Sequence, residues 1–179
     1  MQDWSKTNPE SRANQYATDL LLPVEIFKPA TARLCVIDLA AASDLSKMFQ
    51  MSLTATGIRL VEHGPLPAML ICYSASGREW FVRNRDLSKH LWPVSSPGRD
   101  TYAYDLLHGS EEASAEGDVS ARAWFDLELA ERYYIHEHSL RSSYGDVLSM
   151  LWWKDEQMLI ALDDADERQA ARRSDDRWR

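Results

Sequence analysis

The hydrophobic pattern of the chain changes its period near Pro67, and this change limits the fold more than any other feature. Before Pro67, apolar residues recur every three or four positions in 10–22 and 44–63, as in amphipathic helices. After Pro67, short apolar runs such as 68–74 and 78–83 lie between turn residues, which is typical of strands. The sequence therefore predicts a two-layer α+β fold, with a helical N-terminal third packed on or linked to an antiparallel β-rich remainder.

Prolines and capping residues set the predicted helix ends. Pro23 permits a turn or the start of a new helix, so residues 24–28 are predicted to form one short turn that ends at Pro29. The next helix can begin on Ser43, and Ser52 is predicted to cap the helix after it, which stops at Gly64.

Two hairpins are predicted in the β-rich part, around Gly77 and around Gly145. In the second hairpin, neighbouring side chains alternate, so Trp152 and Trp153 must face opposite sides of the sheet. The predicted strands are 68–74, 78–83, 121–125, 133–141 and 146–154.

The segments between these strands are predicted to be irregular. Residues 84–108 form a connection with one short strand near Thr101, 111–117 form a mobile acidic loop, and 127–132 form a turn or a short helix. Three units follow: a helical part at 1–65, a β-rich domain at 66–162, and a charged tail at 163–179 that is frayed helix or disorder.

Composition narrows the classes of partner and compartment. The formal net charge of −8 argues against a general nucleic-acid or anionic-membrane surface. Residues 1–8 are polar, and no apolar run reaches the roughly 18 residues that span a bilayer. Cys35 and Cys72 lie in apolar segments and are predicted to be buried free thiols. We expect a soluble cytoplasmic protein that binds no nucleic acid directly; its oligomeric state is left open.

Residues 10–23 read E-S-R-A-N-Q-Y-A-T-D-L-L-L-P. This resembles the pattern E-x-x-A-N-x-[FY]-A-x-x-L-L-[ML]-P, which follows the active-site helix of ImmA/IrrE-type zinc metallopeptidases. In that family two histidines of an H-E-x-x-H helix and one acidic residue of the next helix bind zinc. The resemblance implies that Glu10 is the third zinc ligand and that Asn14 orients the metal-site helix. The alternatives are a solvent-exposed carboxylate at a helix N-terminus and an exposed amide.

Residues 45–60 read L-S-K-M-F-Q-M-S-L-T-A-T-G-I-R-L, which resembles the family segment L-A-x-x-F-x-V-S-x-x-A-x-x-x-R-L. The segment has the outline of a helix-turn-helix with its turn at 50–52. A helix that reads DNA needs basic and amide side chains at its start, whereas the second helix opens with Leu53-Thr54-Ala55-Thr56 and has Arg59 as its only cation. Packing is therefore the favoured role of this segment.

The resemblance implies a regulator linked to helix-turn-helix repressor proteins, with zinc in the complete family site. No H-E-x-x-H occurs in the sequence, so the chain is expected to be catalytically incomplete. The alternative is a non-catalytic ligand- or protein-binding module with an aromatic-lined sheet. Its pocket would use Trp80, Trp124, Trp152 and Tyr102, although aromatic side chains of a small sheet more often form its core.

His136-Glu137-His138 is a second candidate metal motif. It is not a shortened zincin motif, because the fourth residue after His136 is Leu140. On a strand, His136 and His138 point to the same face, where they can hold a metal ion or form a solvated surface.

We expect this chain alone to have no peptidase activity and no tight zinc site. A catalytic zinc needs three protein ligands and a water, and residues 1–9 contain no histidine to join Glu10. Peptide cleavage and zinc content of the purified protein test this. Stoichiometric zinc that disappears in Glu10→Gln would contradict the prediction and would point to completing ligands such as His136 and His138.

Overall fold

The computed structural model describes residues 20–165, which form an α+β fold around one antiparallel sheet. Its strands are β1 (Ala68–Ser74), β2 (Gly77–Arg83), β3 (Ser114–Ser120), β4 (Tyr134–Arg141) and β5 (Val147–Trp152). They lie in the order β2-β1-β5-β4-β3, and every neighbouring pair is antiparallel. The predicted α+β class is therefore confirmed.

The helices lie on both sides of the sheet, so the described residues form three layers where two were predicted. The α-helices are α1 (Val24–Thr31), α2 (Leu39–Phe49), α3 (Leu53–His63), α4 (Tyr102–His108) and α5, which runs from 157 to the end of the described residues. Two 3-10 helices occupy Ala121–Ala123 and Glu128–Arg132, the second of which agrees with the prediction for 127–132.

Helices α1, α2 and α3 cover one side of the sheet, here called the helical face. Their apolar side chains form one cluster with alternate residues of β1 and β5. Gly57 lets α3 approach β1 closely, because a Cβ at this position would lie 3.1 Å from Leu70 Cδ2. The buried members of this cluster are Leu22, Phe27, Ile37, Leu39, Ala42, Leu45, Leu60, Val61, Ala68, Leu70, Leu148, Met150 and Trp152.

The other side of the sheet, here called the opposite face, carries a second core. It is covered by α4, the two 3-10 helices and α5, together with the long connection after β2. Tyr73 and Trp124 meet there with ring centroids 5.9 Å apart, and Phe125 stacks on Trp153 at 6.0 Å. Both predicted hairpins are present, β1 with β2 and β4 with β5. Trp152 and Trp153 belong to different clusters, as predicted.

Two helix starts differ from the predictions. α2 begins at Leu39 rather than Ser43, because the side chain of Asp38 accepts a hydrogen bond from the Ala41 amide at 2.7 Å and caps the helix. α1 continues through Pro29 to Thr31, so the predicted stop was wrong; the Thr31 hydroxyl donates to the Phe27 carbonyl at 3.1 Å near the helix end. The Ser52 cap is confirmed.

Three predictions between the hairpins were wrong. The second half of the predicted acidic loop 111–117 is the start of the edge strand β3, which pairs along its whole length with β4. The predicted strand 121–125 is a 3-10 turn, with only a single bridge between Phe125 and Pro93. The predicted short strand near Thr101 is instead the capped start of α4, whose Tyr104 amide donates to the Thr101 hydroxyl.

Arg59 joins α3 to the chain segment before α1. Its guanidinium is buried and donates twice to the Leu22 carbonyl, from Nε at 3.1 Å and from Nη2 at 2.8 Å. A buried carbonyl needs such donors, because leaving it without a hydrogen bond is costly. The contact therefore fixes a junction between segments that are far apart in sequence.

Residues 20–165 contain no helix that is long and apolar enough to cross a membrane. The two cysteines form no disulfide; Cys72 is partly buried, but Cys35 is exposed, contrary to the expectation of a buried thiol.

We predict that Arg59→Met lowers the free energy of unfolding by about 1–3 kcal/mol, because it leaves a buried carbonyl without its donors. Urea denaturation followed by circular dichroism measures the change. The matched control is Arg33→Met, since Arg33 is exposed in the same layer and should change stability by less than about 0.5 kcal/mol. Equal losses in the two variants would contradict the role given to Arg59.

Candidate metal centre

The two site residues implied by the family resemblance, Glu10 and Asn14, lie outside the described residues 20–165. Nothing about their surroundings enters the site described below. The other predicted site residues are all described, and the structure divides them between the two faces of the sheet.

The four aromatic residues predicted to line a pocket do not meet. Trp80 and Trp152 belong to the cluster on the helical face, whereas Trp124 and Tyr102 belong to the core on the opposite face. The sheet lies between the two pairs, so one pocket cannot be lined by all four. Trp124 is fully buried, which gives it a packing role.

Trp124 also holds a buried carboxylate in place. Its indole Nε1 donates to Glu137 Oε2 at 3.1 Å. Glu137 Oε1 accepts from the Ala103 amide at 2.6 Å and from the Ser139 hydroxyl at 2.7 Å. Burial raises the pKa of Glu137, while the hydrogen bonds from Ser139, Ala103 and Trp124 oppose that rise. Glu137 thus fastens the start of α4 to the middle of the sheet.

His136 and His138 flank Glu137 in sequence and lie on the other side of β4, as predicted for alternate residues of a strand. They face Asp118 and Glu116 of β3, their direct partners in the antiparallel pairing. His136 Nδ1 is 2.8 Å from Asp118 Oδ1, and Lys154 Nζ lies 2.8 Å from the same oxygen. The hydrogen bonds from Lys154 and His136 lower the pKa of Asp118. His136 is therefore engaged with Asp118 through Nδ1, while its Nε2 lies 4.0 Å from Glu116 Oε2.

His138 instead lies beside two carboxylates from different layers. Asp38, Glu116 and His138 each place one donor atom within 4.8 Å of the others. His138 Nε2 is 3.0 Å from Ser114 Oγ, and its Nδ1 is 3.1 Å from Glu116 Oε2. We call Asp38, Ser114, Glu116 and His138 the edge cluster. Two carboxylates and one imidazole are common ligands of divalent metal ions.

Only one ligand of the edge cluster, His138, was singled out from the sequence. Ser114 and Glu116 were assigned to a mobile loop, because their segment is acidic and rich in small residues. Asp38 lies in another layer, and sequence spacing gives no measure of its distance from β4. Pairing β3 with β4 in register would have identified Glu116 as the partner of His138.

No protein-family model matches this chain, and no curated protein matches it either.

We predict that Glu137→Gln removes a contribution to the free energy of unfolding that is largest at low pH. The raised pKa means that folded Glu137 keeps its proton at a pH where the unfolded chain, with an ordinary value of 4.5, has lost it. Its stabilising contribution is therefore complete below pH 4.5 and declines as the pH rises through the folded pKa.

The variant has one acceptor oxygen fewer, so it should be less stable by about 1–3 kcal/mol at low pH. Urea titrations at a series of pH values measure the free energy of unfolding of both proteins. The difference between the two values should narrow as the pH rises. Glu128→Gln, at an exposed position, is the control and should show no such trend. A difference that widens with pH would overturn the assignment.

Proposed function

We propose that this chain is a regulatory protein of the ImmA/IrrE type, which binds a helix-turn-helix repressor protein and, as this chain, does not cleave it. The support is a contact between the two segments that resemble the family. Arg59 of the R-L motif in 45–60 donates two hydrogen bonds to Leu22 of the L-L-L-P motif in 10–23.

This contact gives a physical reason for both motifs. The bond pair spans 37 residues, so the two sequence patterns serve one junction. An arginine fits the position because its planar fork can deliver two N–H groups to one carbonyl while its stem packs against apolar neighbours. The segment 45–60 forms α2 and α3 with a tight turn, in which Gln50 adopts a left-handed conformation.

The packing of α3 favours a protein partner over DNA. Arg59, the only arginine or lysine of α3, is buried against Leu22 and does not face solvent. Leu60 and Val61 are fully buried in the cluster on the helical face. A helix that reads a DNA groove needs exposed cationic and amide side chains, so these contacts support a scaffolding role for α3.

Large apolar side chains are exposed on the same helical layer. Ile26 of α1 is 58% exposed and Met48 of α2 is 67% exposed, and Leu20 and Leu21 are also exposed. A group of exposed apolar side chains can mark a surface that contacts another protein. We assign the repressor contact to this side of the molecule.

The aromatic-module alternative has weaker support. Trp124 and Trp152 are packed into separate cores, so they offer no shared ligand surface. Trp92 is an exposed tryptophan, and it meets Phe81 edge-on at 4.7 Å with the Arg78 guanidinium 5.5 Å from its ring. Phe81 packs against the core on the opposite face, so this group does not join Trp80 and Trp152 on the helical face.

We predict that Ile26→Arg weakens binding to the helix-turn-helix repressor encoded nearest to the gene by at least tenfold, because a charge replaces an apolar anchor. Ile160→Arg is the matched control, since Ile160 is also 58% exposed but lies on α5, across the sheet. Calorimetric titration of purified proteins measures the affinity, and intact mass of the repressor reports cleavage.

The proposal requires a complex, an unchanged repressor mass, and a larger effect at position 26 than at position 160. A complex that does not form with the unaltered protein, or equal effects of the two substitutions, would refute it. Cleavage of the repressor would refute the catalytic part alone.

A further inference from the structure

We propose that the edge cluster binds one divalent transition-metal ion, held by Asp38, Glu116 and His138, and that the ion fastens the start of α2 to the β3–β4 edge of the sheet. The three donor atoms already lie within 4.8 Å of one another. They come from the helical layer and from two adjacent strands, so one ion in this position would join the two layers.

An unpaired buried nitrogen marks the position of the ion. Within residues 20–165, His138 Nδ1 is buried and has no hydrogen-bond partner. It is 3.1 Å from Glu116 Oε2, but the alignment does not make a hydrogen bond. The His138 residue is only 8% exposed, so bulk solvent reaches this nitrogen poorly. A buried polar atom without a partner is costly, and a metal ion between the nitrogen and the carboxylate would satisfy both.

Ser114 completes the orientation of the ring. Its Oγ lies 3.0 Å from His138 Nε2, where it can accept the ring N–H. A histidine that binds metal commonly donates its other ring N–H in this way, which fixes the tautomer and leaves the facing nitrogen free to coordinate. Here the facing nitrogen is Nδ1, the atom on the carboxylate side.

The two carboxylates have complementary positions. Asp38 caps α2 through Oδ1, which accepts from the Ala41 amide, and one of its carboxylate oxygens lies within 4.8 Å of the donor atoms of Glu116 and His138. Glu116 is more than half exposed, so an ion can enter from solvent and keep water molecules in its remaining positions. Because the Asp38 cap sets the first turn of α2, a metal bond to Asp38 would restrain the helix itself.

The donor set indicates the class of ion. One imidazole with two carboxylates suits Zn²⁺ or Mn²⁺, whereas Ca²⁺ prefers six to eight oxygen ligands. The competing arrangement is an ion pair between a protonated His138 and Glu116. The site shares no residue with the family position at Glu10, and it departs from the expectation of no tight zinc site, which considered partners for Glu10 alone.

The test is calorimetric titration of the untagged, chelator-treated full chain with Zn²⁺, Mn²⁺ and Ca²⁺. We expect one Zn²⁺ or Mn²⁺ per chain and no comparable binding of Ca²⁺. His138→Ala and Glu116→Gln should each abolish saturable binding, and Ser114→Ala should weaken it by about 10- to 100-fold. His108→Ala is the matched histidine control, and it should retain binding.

Folding and position are checked separately. Circular dichroism should show that Glu116→Gln, an exposed edge-strand substitution, folds as the unaltered protein does. Hydrogen exchange at the α2 start, residues 38–42, should slow when Zn²⁺ is added. Absent binding, or binding that survives His138→Ala but is lost in His136→Ala or Glu10→Gln, overturns the site. Binding that leaves exchange at 38–42 unchanged overturns the fastening of α2.

Discussion

The burial of β5 on both of its faces is the constraint on which the rest of the structure depends. All six residues of this strand, Val147–Trp152, are buried, and it pairs with β1 on one side and β4 on the other. Such a strand is stable only when an apolar layer covers each face of the sheet. The helical layer and the α4–α5 layer are therefore both required, and each owes its position to alternate residues of β1 and β5.

The sequence predicted the elements whose signals are local. Ser52 and Gly77 marked a helix start and a hairpin turn, because capping and turn geometry act within a few residues. Asp38 and Ser43 are both capping residue types, so the local pattern allowed two starts for α2; the burial of Leu39 and Ala42 in the cluster on the helical face belongs to the earlier start. β3 was missed because its own residues are acidic and small; its strand conformation depends on pairing with β4, which no local pattern records.

The three residues His136-Glu137-His138 show how a strand separates neighbouring side chains by function. The histidines face the helical side, where they meet the carboxylates of β3, while Glu137 enters the opposite core and binds the start of α4. The sequence pattern predicted the shared face of the histidines. It did not predict the buried role of Glu137, because a glutamate between two histidines is normally expected in solvent and its donors come from residues 103, 124 and 139.

Arg59 and Asp38 attach the helical layer by different physical means, and the difference bears on how the layer can respond to its surroundings. Arg59 makes charge-assisted hydrogen bonds to Leu22 in a buried junction, which solvent ions reach poorly. Asp38 lies near Glu116 and His138 at the β3–β4 edge of the sheet. The Glu116 side chain is partly exposed to solvent, so a cation can enter there. The first attachment is therefore set by the fold, whereas the metal site proposed above would make the second vary with the supply of metal. A layer that carries the proposed partner contact could in this way be stiffened by an ion without any change in the sheet beneath it.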